Sequence, residues 1–227
     1  MSKIVWDQIG EHYFETGVDH GVLYDYDSAE QAFTDGVAWN GLTAFNESPS
    51  GAESNPVYAD NIKYLNLISA EDYGGTIEAL TAPPEFDKHN GLVEPVKGLK
   101  IGQQSRKPFG FCYRTWIGND VDGQEHAYKL HLVYNCSASP SEKQHSTVNE
   151  NPDAPALSFT ISTTPVPVTG YKPTAIVEID SRDYTSSAAR AKLDAFEAIL
   201  YGTDGSGGAE GTVPRMPLPD ECISLLS

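Results

Sequence analysis

Strict alternation of apolar and polar side chains constrains this chain more than any other feature. Residues 157–164 read Leu-Ser-Phe-Thr-Ile-Ser-Thr-Thr, which places Leu157, Phe159 and Ile161 on one face and hydroxyls on the other. Residues 128–135 repeat the pattern, with Tyr128, Leu130, Leu132 and Tyr134 facing one way and Lys129, His131, Val133 and Asn135 the other. A period of two belongs to a strand with a buried face, whereas helix faces repeat every 3.6 residues. The chain is therefore expected to be mainly β and antiparallel.

Turn chemistry divides the rest. Between an apolar run at 108–117 and the strand at 128–135 lies Gly-Asn-Asp-Val-Asp-Gly, a hairpin loop at 118–123. Further strands are expected at 20–26, 36–46, 61–69, 74–81 and 173–180, all rich in β-branched or aromatic residues. The segment 46–60 holds two prolines and is long for a tight turn, so it reads as a protruding functional loop. One helix is expected at 187–201, with Leu193, Phe196, Ile199 and Leu200 on one face and Gly202 just past its end. It should dock on a sheet. A C-terminal tail, 203–227, contains a Gly-rich flexible loop at 205–211 and ends in the apolar Ile223, Leu225 and Leu226. The 227 residues fit a single domain with an N-terminal arm at 1–20.

Charge narrows the partners. Fifteen Lys and Arg against 32 Asp and Glu leave a net charge of −17. Proteins that grip nucleic acid neutralise phosphates with clustered Lys and Arg, and anionic membranes select for the same clusters; this chain has none. The first residues lack an apolar signal core, and no run approaches the roughly 18 apolar residues that span a bilayer, so a soluble chain made in the cytoplasm is expected. Cys112, Cys136 and Cys222 are far apart and form no CxxC pair, which argues for reduced, packed thiols and against a zinc site or disulfide framework.

Motifs that carry chemistry are missing. There is no GxSxG elbow, no HExxH and no phosphate-cradling Gly loop. His126 and His131 are five apart on a strand and point to opposite faces, so they cannot share a metal. The Asp-Val-Asp-Gly at 120–123 puts Gly118 where the first carboxylate of a calcium loop would be. Glu71 with Asp72, Glu178 with Asp180, and Asp220 with Glu221 read as solvated pairs in a chain rich in acids. Trp39, Trp116 and the twelve tyrosines could stack on sugars, but aromatics on strands more often fill a core or an interface. No catalytic, cofactor or metal residue is assigned, and the chain is not expected to be an enzyme.

Longer strings are more specific. Residues 36–86, GVAWNGLTAFNESPSGAESNPVYADNIKYLNLISAEDYGGTIEALTAPPEF, resemble the major tail tube proteins of bacteriophages with long, non-contractile tails. Similar strings follow in the same order: IGQQSRKPFGFCYRTWIGND at 101–120, YKLHLVYNCSASPSEK at 128–143, SFTISTTPVPV at 158–168, EIDSRD at 178–183, LYGT at 200–203 and MPLPDE at 216–221. The likeness covers most of the chain after residue 20; residues 1–30 are only loosely similar, and the Gly-rich insertion at 205–211 is longer than usual.

The resemblance implies an antiparallel β-sandwich or half-barrel with one flanking helix. It implies hexameric rings that stack into a tail tube, a virion structure assembled in the host bacterial cytoplasm. Implied partners are other copies of the chain and the tape-measure, tail-terminator and tail-tip proteins, with DNA passing through the lumen without specific binding. The protruding segment then supplies the inter-ring contact, with Glu47, Ser48, Pro49, Ser50, Glu53, Asn55 and Tyr58 as candidates. The alternative is a β-sandwich adhesin or carbohydrate-binding module.

Overall fold

A computed structural model describes residues 3–143, 145, 147, 154, 156–205 and 210–227. In chain order the strands are β1 (Phe14–Asp27), β2 (Ala32–Trp39), β3 (Leu42–Glu47), β4 (Ser50–Gly51), β5 (Ser54–Ala59), β6 (Ile62–Ile68), β7 (Glu71–Asp72), β8 (Gly74–Ala79), β9 (Val93–Val96), β10 (Leu99–Ile101), β11 (Phe109–Asn119), β12 (Gly123–Ala138), β13 (Leu157–Thr163) and β14 (Ile176–Asp180). Helix α1 spans Ser187–Tyr201 and α2 spans Pro219–Leu226. The expected fold class is observed: mainly β, antiparallel, with one main helix.

One large sheet runs β2-β1-β11-β12-β13-β8-β3, with β14 also paired to β12. Its two outermost strands, β2 and β3, are joined by Asn40 and Gly41 alone, so the sheet curls until its ends meet. Gly21 of β1 permits the closure: a Cβ there would stand 2.4 Å from Leu42 Cδ1 of β3. The predicted strand at 36–46 is thus two strands, because the chain turns at Asn-Gly and β3 pairs with β8 instead of β1.

The curl has a local cause in β12. Asn135 adopts a left-handed φ of 47°, and Phe109 pairs with Cys136 while Phe111 pairs with Val133, so β12 carries an extra residue. Such a bulge bends a strand and reverses the parity of its side chains. Before the bulge, Leu130, Leu132 and Tyr134 face one core; after it, Cys136 and Ala138 face the other. The bulge is also where β12 exchanges β14 (paired at 129–133) for β13 (paired at 136–138).

Two cores result. The inner one, enclosed by the curl, packs Trp39 against Phe86 (ring centroids 4.6 Å), Phe111 and Phe159, with Leu23, Ile77 and Val133. The outer one lies between the sheet and the helices and joins Val22, Tyr24, Leu130 and Leu132 to Leu193, Phe196 and Leu200 of α1 and Cys222 of α2. Strands β1, β11 and β12 are therefore covered on both sides. Strands β13 and β8 turn Phe159, Ile161 and Ile77 inward and their hydroxyl faces to solvent, as the alternation at 157–164 predicts.

Helix α1 has the predicted bounds. Ser186 caps it by accepting from the Ala189 N–H at 3.1 Å, and Gly202 ends it with φ 75°. The predicted tail contains α2, started by Pro219 at its first turn. The N-terminal arm is shorter than 1–20, since β1 begins at Phe14 and its pairing to β11 at Gly118. The three cysteines are buried, separate and free. Positions 206–209 of the predicted Gly-rich loop lie outside the described residues. No described helix is long and apolar enough to cross a membrane.

Candidate functional site

Among the described residues, three segments leave the body of the fold and carry apolar side chains into solvent. The largest is the excursion between β3 and β8. Its core is the β5–β6 hairpin, paired from Ser54↔Ile68 to Ala59↔Ile62, with Asp60 and Asn61 at φ 51° and 61°. Two left-handed residues in a two-residue loop match the twist of the flanking strands, and Asp and Asn tolerate that conformation best after Gly. At its root β4 pairs with β7, Ser50↔Asp72, and Ser48 N–H donates to Gly74 O at 2.8 Å.

Every residue of β5 and β6 is exposed, including Tyr58 at 68%, Tyr64 at 66% and Ile68 at 70%. An isolated two-stranded hairpin is marginal in water, and monomeric proteins seldom expose contiguous apolar surface on this scale. The second segment is the β9–β10 hairpin, with Val93, Val96, Leu99 and Ile101 exposed. The third is the N-terminal arm, with Ile4, Val5, Trp6 and Ile9 exposed. Asp120 in the β11–β12 turn holds that arm: its carboxylate accepts from Gly10 N–H at 3.0 Å and meets His12 Nδ1 at 3.0 Å. The His12 contact, with these backbone donors, keeps Asp120 below the ordinary carboxylate range.

The predicted interface residues divide. Ser48, Pro49, Ser50, Glu53, Asn55 and Tyr58 lie on the outgoing half of the excursion and are exposed. The expected protruding loop at 46–60 and the expected strand at 61–69 are thus two limbs of one projection. Its signal in the sequence is Tyr58-Ala59-Asp60-Asn61-Ile62, a two-residue polar turn between apolar flanks. Glu47 behaves differently: it ends β3, and its carboxylate turns to the body of the fold, where Tyr113 Oη donates to it at 2.8 Å.

Asn119 Oδ1 accepts from the Val121 and Asp122 N–H groups, so 118–123 is a hairpin turn built on an Asx side chain. Asp220 accepts from the N–H and hydroxyl of Thr169, Glu221 pairs with Arg215, and Asp180 pairs with Arg182. Trp39 is enclosed in the inner core, and the Arg114 guanidinium lies 4.4 Å from the centre of the Trp116 ring. Trp39 is thus closed to a ligand, whereas the half-buried Trp116 borders a surface pocket with Tyr13 and Tyr128.

One polar cluster escaped the sequence reading. His131, which cannot share a metal with His126, faces Glu47 and Glu178, and ligand atoms of the three lie within 4.8 Å of one another. Burial pushes the His131 imidazole below its ordinary value, against the opposing pull of the surrounding carboxylates. Glu47 and His131 are 84 positions apart, so no local motif could announce the pair. No protein-family model and no curated protein sequence matches this chain.

Proposed function

We propose that the chain is a structural subunit of a tail tube, assembling into hexameric rings that stack around a channel for phage DNA. The observation that carries this reading is the projecting β5–β6 hairpin, whose apolar side chains on a two-stranded ribbon need a partner surface to be stable. The β9–β10 hairpin and the N-terminal arm add two further unsatisfied surfaces on the same body. A subunit in a ring that stacks has neighbours on several sides, and heterologous contacts close into a ring when the rotation between copies closes. The order and length of the similar strings described above agree with this reading.

The charge has a role in such an assembly. Six copies at −17 carry about −100 per ring, and acids facing the lumen deny DNA phosphates a cationic site. Repulsion at physiological salt reaches about 8 Å, enough to act across a thin water layer.

Purified protein at high concentration, imaged by negative-stain electron microscopy, is expected to show rings or hollow tubes. A strictly monomeric protein under all conditions, including in the presence of tail-tip complexes as nucleators, overturns the proposal. The adhesin or carbohydrate-binding reading lacks a comparable observation, because Trp39 is enclosed.

A further inference from the structure

A row of three side chains crosses the sheet on its inner face. Tyr113 of β11 pairs with His131 of β12, which pairs with Glu178 of β14. The Tyr113 and His131 rings are parallel, 2° apart in plane with centroids 4.5 Å apart, which fixes the imidazole plane. Glu47 reaches the same place from the end of β3. His131 is 3% exposed.

The hydrogen-bond network assigns the His131 tautomer. Thr115 Oγ1 has a single proton and lies 2.7 Å from Glu15 Oε1, while Glu15 Oε2 accepts from Lys129 Nζ at 2.8 Å. With one oxygen paired to the Lys129 ammonium, the Glu15 carboxylate offers its other oxygen to Thr115 as an acceptor. The Thr115 proton therefore goes to Glu15. Thr115 Oγ1, 2.9 Å from His131 Nε2, must then accept from an Nε2–H. In the neutral ring that leaves Nδ1 with a lone pair, buried and without a hydrogen-bond partner among the described residues.

This lone pair points at two carboxylates. Nδ1 lies 3.8 Å from Glu178 Oε1 and 3.9 Å from Glu47 Oε1. Three electron-pair donors converge with no proton between them, an arrangement that is repulsive when empty and is relieved by a cation. Ligand atoms about 2.1 Å from a tetrahedral ion stand about 3.4 Å apart, so small rotations of two exposed Glu side chains close the gap. The Thr115 hydroxyl on Nε2 and the Tyr113 hydroxyl on Glu47 would orient two of the ligands from behind.

We propose that His131 Nδ1, Glu47 and Glu178 bind a first-row transition divalent cation of the Zn2+ type, leaving at least one coordination position to water. The imidazole selects against Mg2+ and Ca2+, which take oxygen ligands. The site joins β3, β12 and β14 at the root of the projecting hairpin, since Glu47 is the last residue before that excursion. It stands independently of the tail tube reading.

The test uses tag-free, full-length protein stripped with EDTA and dialysed into metal-free buffer. Titration calorimetry with ZnCl2 should show one tight equivalent per chain, accompanied by a rise in Tm, and Co2+ should give visible d–d absorption bands. Glu178→Gln, at an exposed position, should lower affinity at least about tenfold, and His131→Gln should abolish the Co2+ bands. His126→Gln, which removes a surface histidine paired with Asp122, should leave both readouts unchanged. Equal binding by wild type and Glu178→Gln overturns the proposal, as does loss of binding in His126→Gln. So does CaCl2 or MgCl2 binding as tightly as ZnCl2. Absence of Zn2+ binding in the wild type, with NMR showing both His131 ring nitrogens protonated at neutral pH, would place a proton where the cation is proposed and overturn it too.

Discussion

The Tyr24 hydroxyl donates to the Leu200 carbonyl at 2.7 Å, joining β1 to the last turn of α1 inside the outer core, where both residues are fully buried. The last four carbonyls of a helix have no partner within it, so this bond satisfies a group that would otherwise be orphaned in an apolar layer. Burial also pushes the Tyr24 phenol well above its ordinary value, so it remains a donor at any physiological pH. Tyr24→Phe keeps the ring and strands the carbonyl. It should cost about 1–3 kcal/mol in urea unfolding, with the m-value unchanged. A loss close to zero would show that water reaches the carbonyl.

Gly36 faces Tyr24 from β2. A Cβ there would come within 2.7 Å of both Tyr24 Cε1 and Pro214 Cβ. Neither neighbour is the free end of a flexible side chain, so Gly36→Ala should destabilise by about 1–3 kcal/mol through overpacking. Phe196→Ala, which empties the centre of the α1 contact, should cost more, about 3–5 kcal/mol. Chemical denaturation of the two variants beside wild type checks both the sizes and their order.

The projecting hairpin contributes no residue to either core. Ser69 N–H donates to Glu53 O at 3.1 Å, so the limbs are already close enough at that level for a two-residue Asn-Gly turn to replace 54–68. The shortened protein should unfold at the wild-type Tm in calorimetry. In electron microscopy it should form single rings and no stacked tubes. Intact tubes would remove the hairpin from the stacking interface.

His89 makes stability depend on pH. It is fully buried, its Nδ1 donates to Lys107 O at 2.9 Å, and its Nε2 has no hydrogen-bond partner among the described residues, with Asp25 Oδ1 at 3.5 Å. Burial lowers its pKa, assisted by Lys88 and Lys107 and opposed by Asp25 and the Lys107 carbonyl. The unfolded chain therefore takes up the proton first. Stability from a neutral His89 is complete above about pH 6.5 and is lost as pH falls towards the lower folded value. The urea midpoint should drop between pH 7.5 and 5.5, and the drop should be smaller in His89→Gln. An identical drop in both proteins would assign the effect to other groups.

Much of this architecture is legible along the chain, because it depends on local periodicity. The alternation at 128–135 and 157–164 specifies strands with a buried face, and apolar residues three and four apart with Ser and Gly at the ends specify α1. Other elements leave no local signal in the sequence. The β9–β10 hairpin is four residues facing three, too short for periodicity to register. The turn at Asn40 and Gly41 is masked because β-branched and aromatic residues continue on both sides of it.

Strand class and the place of the docked helix follow from the residues alone, since each is set by neighbours within about one turn or one strand, and the acidic excess follows from composition. Which strands meet depends on packing across the whole curl, with three consequences. The Asn135 bulge reverses the face of β12 and closes the sheet on itself. The limbs at 46–60 and 61–69 become one projection. His131 is brought between Glu47 and Glu178, an encounter of three strands whose register depends on side-chain burial across the whole curl rather than on any motif.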